Sequence, residues 1–461
     1  MSLLFKPLIL SRVLKSYLVD PNRLRRSTNE ELKAFQNNQL RKMVFYAYKV
    51  PLYRDKYKTI GIHPKDIHGI DDIEKLPFIT KDDIRKYSPD GIISSSFNKK
   101  DGIVSRTGGT TGKSLPVFFD LYTVIKGMLG FVRALNEYGI DWRKTKMSLL
   151  IDLSERSFEN EYFINSIFSA IKPLFSEKNI QIFDLFSISE KVIKKIDQFQ
   201  PEFIGGYPFA LIRLAMLKER GLGKNIAPRC ILSSGSYFDE YSKKLIEEKL
   251  DSKIYDFYAA TESGPIAFEC KKGYYHVHSD LIYPEFITNG NPVSPGKPGT
   301  LVITKLYGKG TPIIRYTGID DIVTIPKNKC SCGLSGTLIK KIHGRKSHSI
   351  LLPNGIMVLP SFMDDILGLI IYKTKVNKIQ RIQIIQHKIN SLEIKVLFNK
   401  ELRDMGTPPE KIFNVLKRIF LEKSGSEIKL KINEVKHFDA KDQYFISRID
   451  RTKFIERKYL I

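Results

Sequence analysis

Short apolar runs and helical patterns alternate along the chain from about residue 100 to residue 345. The apolar runs have the length of buried strands, and the stretches between them place apolar side chains three and four positions apart. This alternation predicts an α/β fold with a mostly parallel sheet, because each helix returns the chain to the start of the next strand. The predicted strands begin at Ser148, Ile180, Phe203, Cys230 and Lys253, and the predicted helices include residues 209–220 and 239–249.

The pattern differs at both ends of this α/β part. Residues 29–60 are helical in pattern and then loop-like through Pro51, and Thr80 precedes a helical stretch as an N-cap. From about residue 266 onward, β-type patterns with Gly/Pro turns take over. A new pattern begins after residue 380, with strands at 381–387 and 392–398, an amphipathic helix at 408–423 and a strand at 427–435.

These changes of pattern predict two domains. A large N-terminal domain with mostly parallel sheets and a β subdomain is followed by a small α+β C-terminal domain. The boundary is expected at the segment Gly344-Arg-Lys-Ser. The expected limits are residues 1–346, divided into a helical leader (1–100), an α/β part (100–265) and a β-rich part (266–346), and residues 348–461.

Composition excludes several classes of protein. The chain has 461 residues, of which 42% are hydrophobic, so it can bury a large core and is not disordered as a whole. It contains no run of 18 apolar residues and no repeat of 20–50 residues, which excludes a membrane-spanning helix and a solenoid. The sequence leaves the oligomeric state open.

The chain is strongly basic, with 75 Lys+Arg against 50 Asp+Glu and a net charge of +25. The positive electrostatic field of such a chain attracts nucleic acid, anionic lipid or nucleotide phosphates. However, a general bias towards lysine in the composition would give the same net charge. No nucleic-acid-binding motif is present, so we expect no specific nucleic acid partner. Residues 3–19 predict an amphipathic helix with Lys6, Arg12 and Lys15, suited either to an anionic membrane surface or to packing on the body.

The segment Ser105-Arg-Thr-Gly-Gly-Thr-Thr-Gly-Lys-Ser-Leu-Pro116 carries the clearest chemistry. Its glycines and hydroxyls can surround phosphate with backbone N–H groups and threonine hydroxyls. It ends like a Walker A loop at Gly112-Lys113-Ser114, but that motif needs glycine where Thr107 stands. A phosphate loop of another kind is therefore predicted.

Three of the four cysteines form a second pattern. Cys270 with His276, and Cys330 with Cys332, fit a structural Cys₃His zinc site, and His278 is a competing fourth ligand. The N-terminus does not resemble a signal peptide, so a reducing cytoplasm is expected, where such clusters favour metal over disulfides. The remaining cysteine, Cys230, lies in a predicted strand as an inert core thiol.

Five segments in order resemble the adenylate-forming acyl-CoA ligase superfamily. Thr107-Gly-Gly-Thr-Thr-Gly-Lys resembles its phosphate loop, Tyr258-Ala-Ala-Thr-Glu its Tyr-Gly-x-Thr-Glu motif and Arg315-Tyr-Thr-Gly-Ile-Asp its Arg-Tyr-x-x-Gly-Asp motif. Gly344-Arg345 resembles the hinge, and Arg451-Thr-Lys-Phe-Ile-Glu-Arg457 the C-terminal lysine segment. The resemblance therefore covers essentially the whole chain.

Other segments resemble one branch of that superfamily, the phenylacetate–CoA ligases and the CapK-type proteins of capsular polysaccharide biosynthesis. They are Leu76-Pro-Phe-Ile-Thr-Lys-Asp-Asp, Gly206-Tyr-Pro and Cys330-Ser-Cys-Gly. The branch also carries residues similar to those of the predicted zinc site. The resemblance implies an ATP-dependent ligase that activates a small carboxylate as acyl-AMP, releases pyrophosphate and transfers the acyl group to CoA.

The resemblance also implies roles for particular residues. Lys453 would bridge the substrate carboxylate and the α-phosphate, Glu262 would bind Mg²⁺, and Thr110 would hold phosphate as part of the catalytic set. Asp320 would bind the ribose, with Asp321 one position away, and a mobile lid would rotate at the segment Gly344-Arg-Lys-Ser347. The implied nucleotide contacts are Thr107, Gly108, Gly109, Thr110, Thr111, Gly112, Lys113, Ser234, Gly235, Ser236, Tyr258, Thr261, Asp320 and Arg345.

Departures from the superfamily pattern keep other functions open. Gly108 replaces a hydroxyl residue, Thr452 replaces glycine, and Ser347-His348 replaces an acidic pair. One alternative is an adenylyltransferase or an amide- or ester-forming CapK-type protein of polysaccharide biosynthesis. Another is a non-catalytic homologue, or a basic protein that binds nucleic acid or a membrane surface. The sequence does not identify the acid or the acceptor, although residues 203–210 and 233–262 are expected near the acid.

Overall fold

The structure, a computed structural model, describes most of the chain. The described residues are 7–106, 115–154, 157, 159–160, 177–374, 378–400, 403–425, 427–438, 445–450 and 458–460. The phosphate-loop residues Thr107–Lys113 and the predicted catalytic Lys453 lie outside them.

The α-helices follow the predicted pattern closely, with one correction at Pro51. Proline begins a helix here instead of a loop, because its fixed φ and missing N–H suit the first helical position. Thr80 is the N-cap of its helix, as expected, and forms a capping box with Asp83. The helices are α1 (Pro7–Val19), α2 (Arg23–Arg26), α3 (Asn29–Ala47), α4 (Pro51–Thr59), α5 (Lys81–Tyr87), α6 (Leu121–Tyr138), α7 (Glu190–Phe199), α8 (Pro208–Glu219), α9 (Glu240–Leu250), α10 (Ser361–Thr374) and α11 (Pro409–Ser424).

All five strands predicted for the α/β part are present. The strands up to residue 345 are β1 (Ile103–Arg106), β2 (Pro116–Phe119), β3 (Met147–Ile151), β4 (Ile180–Asp184), β5 (Phe203–Gly206), β6 (Cys230–Ser234), β7 (Ile254–Ala260), β8 (Gly264–Glu269), β9 (Tyr275–Val277), β10 (Ile282–Thr288), β11 (Asn291–Pro292), β12 (Pro298–Lys305), β13 (Asp321–Thr324), β14 (Leu338–Ile339) and β15 (Lys341–Arg345).

An eight-stranded mixed sheet forms the centre of the larger part. Its order is β14-β9-β8-β7-β6-β5-β3-β4, in which β4, β3, β5, β6 and β7 are parallel and the remaining neighbours antiparallel. A five-stranded antiparallel sheet, ordered β11-β10-β12-β13-β15, is the predicted β-rich part. Thus the parallel strands all end at one edge, where ligands bind in open α/β sheets.

The C-terminal part has its own sheets and its own apolar cluster. Its antiparallel strand pair, β18 (Ile379–Lys388) and β19 (Ser391–Phe398), and helix α11 lie where the sequence predicts strands and a helix. One cluster of buried side chains runs from Ile350 to Phe445 within this part. The predicted domain limits stay a prediction. The strands here are β16 (Ile350–Leu351), β17 (Ile356–Val358), β18 (Ile379–Lys388), β19 (Ser391–Phe398), β20 (Lys429–Glu434), β21 (Phe445–Ser447) and β22 (Lys458–Leu460).

A buried guanidinium attaches the N-terminal segment to α6. Arg133 is 1% exposed and donates to both carboxylate oxygens of Asp280, at 2.9 and 2.7 Å. It also contacts His278 Nδ1 at 2.9 Å and donates to the backbone carbonyl oxygens of Asp20 and Pro21. The segment between α1 and α2 is therefore held to the central sheet by a charged group that has several partners.

We predict that Arg133→Met lowers the free energy of unfolding by about 3–5 kcal/mol, because it leaves the buried Asp280 carboxylate without its main partner. Chemical denaturation followed by circular dichroism measures this loss. Arg143→Met, which removes a guanidinium at the surface, is the matched control and should change stability by less than about 1 kcal/mol. Equal, small losses in both variants would contradict a structural role for the Arg133 cluster.

Candidate functional site

A cavity of about 1820 Å³ opens at the carboxyl ends of the parallel strands. Ile151, Gly206, Ser234 and Ala260, which end β3, β5, β6 and β7, line one side of it. Residues of the C-terminal part, including Arg381 and Lys436, line the opposite side. The cavity is therefore enclosed by two parts of the chain. Its volume exceeds the 300–1,000 Å³ that is usual for a small-molecule pocket.

Most of the predicted site residues that the structure describes meet in this cavity. Their individual roles stay predictions. The predicted residues that line it are Ser234, Gly235, Ser236, Tyr258, Thr261, Glu262, Asp320 and Arg345.

Glu262 is held at the cavity wall by a tyrosine. Glu262 is only 6% exposed, and Tyr316 Oη donates a hydrogen bond to Glu262 Oε1 at 3.2 Å. Tyr316 follows Arg315 in the Arg-Tyr motif. The Arg-Tyr motif therefore positions Glu262, the acidic residue of the motif that begins at Tyr258. A carboxylate fixed at the cavity wall suits Mg²⁺, a hard cation that prefers oxygen ligands.

The adjacent Asp320 and Asp321 make different contacts. Asp321 Oδ2 accepts a hydrogen bond from Tyr258 Oη, and burial raises the pKa of Asp321 to about 6 although the Arg345 charge lowers it. Asp320 has a left-handed φ of 65°, and its Oδ2 accepts from the backbone N–H of Ser347 at 2.8 Å. Both residues line the cavity, but Asp321 is occupied in holding the Tyr258 ring. Asp320 therefore remains the better candidate for a ribose contact.

The turn after β6 brings the backbone close to an aromatic ring. Gly235 has a φ of 92°, and a Cβ added there would lie 2.2 Å from the Tyr207 ring, so only glycine fits. Ser234 Oγ donates to the backbone carbonyl of Phe257 at 2.7 Å. This hydrogen bond links β6 to β7 and uses the hydroxyl proton of Ser234. Any contact of Ser234 with adenine would therefore be made by its backbone.

The sequence reasoning missed a buried acidic network beside this turn. Asp256 and Tyr275 line the cavity, and Tyr275 Oη donates to Asp256 Oδ2 at 2.9 Å. Behind them, Lys243 Nζ lies 2.6 and 2.8 Å from the carboxylate oxygens of Glu269. Burial raises the pKa of Asp256 to about 7, with the nearby Glu269 charge adding to the shift. The strand period could have found Asp256, since it lies two residues before Tyr258 on the same face of β7.

One end of the cavity is apolar and is formed by α6. Gly127 faces it, and a Cβ there would lie 3.3 Å from both Pro265 and Tyr307 Oη. Lys305 lies behind this wall with its Nζ 4.6 Å from the centroid of the Phe119 ring, and burial lowers its pKa to about 7. The sequence predicts that residues 203–210 and 233–262 lie near the acid, which stays a prediction, and the α6 wall is a further part of the cavity lining. The apolar wall consists of Phe119, Val124, Met128, Phe131, Pro265 and Tyr307.

The cysteine and histidine residues predicted to bind zinc lie together, away from the cavity. Ligand atoms of Cys270, His276, Cys330 and Cys332 all lie within 4.8 Å of one another. Cys270 Sγ is 3.7 Å from Cys330 Sγ, and Cys332 Sγ is 3.1 Å from His276 Nε2. His278, the competing ligand, instead contacts Arg133. Tetrahedral zinc with Zn–S bonds of about 2.3 Å separates two sulfurs by about 3.8 Å, so the cluster fits this metal.

The fold agrees with that of solved CoA ligases. The structure matches the crystal structure of 2-hydroxyisobutyryl-CoA ligase, in the postadenylation state in complex with R3-HIB-AMP, with a TM-score of 0.76. The match covers 94% of this chain and 92% of the other at 19% sequence identity. It confirms the predicted α/β fold of an adenylate-forming ligase.

Curated relatives confirm the more particular resemblance. The chain is 27% identical to phenylacetate–coenzyme A ligase of Escherichia coli strain K12 over 350 residues, which are 73% of this chain and 76% of the relative. It is 24% identical to Protein CapK of Staphylococcus aureus, over 73% of this chain and 72% of that protein. No family model matches the chain. The chain is thus similar, over 73% of its length, to phenylacetate–coenzyme A ligases and to CapK.

We predict that Asp256 makes stability depend on pH. Its pKa is raised from 3.8 to about 7 in the folded state, so the stability it contributes is present at low pH and lost as pH rises through 7. Between about pH 5 and about pH 8, the free energy of unfolding should fall less in Asp256→Asn than in the unchanged protein. The difference should be roughly 1.4 kcal/mol for each unit by which folding shifts the Asp256 pKa within that range. Denaturant titrations at several pH values measure it.

Asp71→Asn is the control for this experiment, because Asp71 is an exposed carboxylate paired only at the surface with Lys33. It should keep the pH dependence of the unchanged protein. The same slope for Asp256→Asn and the unchanged protein would show that Asp256 is not held protonated in the fold.

Proposed function

We propose that the protein is an ATP-dependent, AMP-forming ligase that activates a small carboxylic acid and transfers the acyl group to the thiol of CoA. The observation that carries this proposal is the convergence on one cavity of Tyr258 and Glu262, which belong to one motif, and Asp320, which belongs to another. The phenylacetate–coenzyme A ligases among its relatives support both the acid and the thiol acceptor.

The chemistry requires two anions to approach each other. A carboxylate oxygen of the acid attacks the α-phosphorus of ATP, and the bond from that phosphorus to the bridging oxygen breaks to release pyrophosphate. Mg²⁺ bound at Glu262 would offset charge on the phosphates. Asp320 would fix the ribose, and the apolar wall of α6 would hold the body of the acid away from water. Lys453 and the phosphate loop keep the roles that the sequence assigns to them.

The segment Gly344–Ser347 is proposed as the hinge of a C-terminal lid. Gly344 has a φ of 90°, and a Cβ there would lie 2.8 Å from Pro360, so the backbone is specialised at this point. The backbone N–H groups of Lys346 and Ser347 donate to the backbone and side-chain oxygens of Asp320. A rotation here would break bonds to the proposed ribose-binding residue, which would couple lid position to nucleotide.

Pyrophosphate release with Mg·ATP and a panel of carboxylic acids tests the function. Phenylacetate and 2-hydroxyisobutyrate are the first members, each measured with and without CoA. We expect release that depends on the acid, and consumption of thiol when CoA is present. Release without thiol consumption would indicate another acceptor, as in the CapK-type alternative. ATP binding without release for any acid would favour a non-catalytic homologue.

We predict that Glu262→Gln lowers the rate of pyrophosphate release by roughly 10²–10³-fold, because the amide removes a charged metal ligand and keeps the shape. The midpoint of thermal unfolding should stay nearly unchanged, since the amide oxygen can still accept from Tyr316 Oη. Glu248→Gln, at an exposed carboxylate, is the control and should keep full activity. Full activity in Glu262→Gln would show that Glu262 is not a ligand of the catalytic metal.

A structural zinc ion is proposed at Cys270, His276, Cys330 and Cys332. Tying Cys330 and Cys332 to the sheet edge at β9 would fix the loop that leads into β14. The ligands do not line the cavity, so zinc would contribute folding energy and no catalytic step.

Metal analysis of protein purified without added metal should give about one zinc per chain. A Cys330→Ser/Cys332→Ser variant should lose the metal and unfold roughly 5–10 °C lower, because binding energy contributes to folding. Cys230→Ser, at a buried thiol outside the cluster, should keep the metal. Zinc content near zero in the unchanged protein would contradict the site.

A further inference from the structure

Helix α1 leaves one apolar face uncovered. Leu14 is 56% exposed, Leu18 63% and Val19 41%, and the first two are four residues apart on the same side of the helix. These three residues, with the exposed Lys15, are the α1 face. Adjacent large apolar side chains that remain in water after folding indicate a surface that is covered by something else.

The opposite side of α1 is firmly attached to the body. Ser16 Oγ lies 3.0 Å from Tyr122 Oη, and the Arg12 guanidinium stacks over the Tyr122 ring at 4.2 Å. Tyr17 makes an edge contact with Trp142, at a centroid distance of 6.4 Å. The helix is therefore docked along one side, and its exposed leucines are not explained by a loose terminus.

The surroundings of the α1 face are basic and contain the single tryptophan of the chain. Trp142 is partly exposed and is followed by the exposed Arg143 and Lys144. In residues 11–19 and 141–144 the one acidic residue is Asp141, which Arg143 pairs. Apolar side chains beside lysines and a tryptophan match the boundary between lipid headgroups and acyl chains. A net charge of +25 adds long-range attraction to an anionic surface.

We propose that the α1 face docks the protein onto an anionic phospholipid membrane, with Leu14 and Leu18 entering the acyl region and Lys15 and Lys144 meeting the headgroups. No helix among the described residues could cross a bilayer, so the association is peripheral. It does not depend on the proposed reaction. It has a consequence for access, however, because α6 carries α1 on one side and the apolar wall of the cavity on the other.

Sedimentation with vesicles tests this docking. Vesicles of phosphatidylcholine with roughly one quarter phosphatidylglycerol should bind the protein, and raised salt or purely phosphatidylcholine vesicles should weaken binding. Leu14→Gln/Leu18→Gln should weaken it about tenfold, and Lys15→Gln/Lys144→Gln should do so by a similar factor with less dependence on salt. Phe45→Gln/Ile60→Gln, at apolar residues of similar exposure outside the α1 face, is the matched control and should bind normally.

Trp142 gives a second measurement that electrostatic adsorption alone would not change. Its emission should move to shorter wavelength on vesicles and be quenched by phospholipids brominated in the acyl chain. Equal vesicle binding by Leu14→Gln/Leu18→Gln and the unchanged protein would overturn the proposal, and so would a lack of quenching. A dimer in vesicle-free solution that the leucine variant dissociates would assign the α1 face to a second copy of the chain instead.

Discussion

The site depends on one buried ion pair, between Arg315 and Glu285. The Arg315 Nε and Nη2 atoms lie 3.1 and 2.7 Å from Glu285 Oε1, and Nη1 donates to the backbone carbonyl oxygens of Glu74 and Leu76 at 3.0 and 2.6 Å. The guanidinium thus joins the N-terminal leader to the five-stranded sheet. Arg315 has a φ of 46°, an unfavourable conformation for a side chain, and these contacts are what stabilise it.

The fixed backbone at Arg315 determines where the next residues point. Tyr316 reaches Glu262, and the turn that follows directs Asp321 to Tyr258 and Asp320 to the backbone of Ser347. The first residue of the Arg-Tyr motif is therefore architectural, while Thr317, Gly318 and Asp320 line the cavity. Two motifs that are some 50 residues apart in sequence become one surface because a single charged group holds the turn between them.

The sequence predicted the layers well and the site incompletely, for different physical reasons. Period and length identified β3 to β7 and their helices because burial imposes those patterns on every strand. Glycine and acidic motifs identified Glu262 and Asp320. The period of β7 places Asp256 on the same face as Tyr258, but the network around it was missed because its partners, Tyr275 and Glu269, lie on other strands. Likewise, spacing left His276 and His278 equivalent, and only tertiary contact with Arg133 separates them.

Helix α6 shows why the apolar wall of the cavity was the hardest part to predict. Gly127 and Gly130 each weaken the helix by about 1 kcal/mol relative to alanine. In the sequence alone, two such glycines therefore argue against a helix here. In the fold they let the α6 backbone approach Pro265, since a Cβ at Gly130 would lie 3.0 Å from that ring. Arg133 on the same helix then anchors it to Asp280. Weak local propensity is thus offset by tertiary contacts, and the same close approach determines how much space remains in the cavity beside the apolar wall.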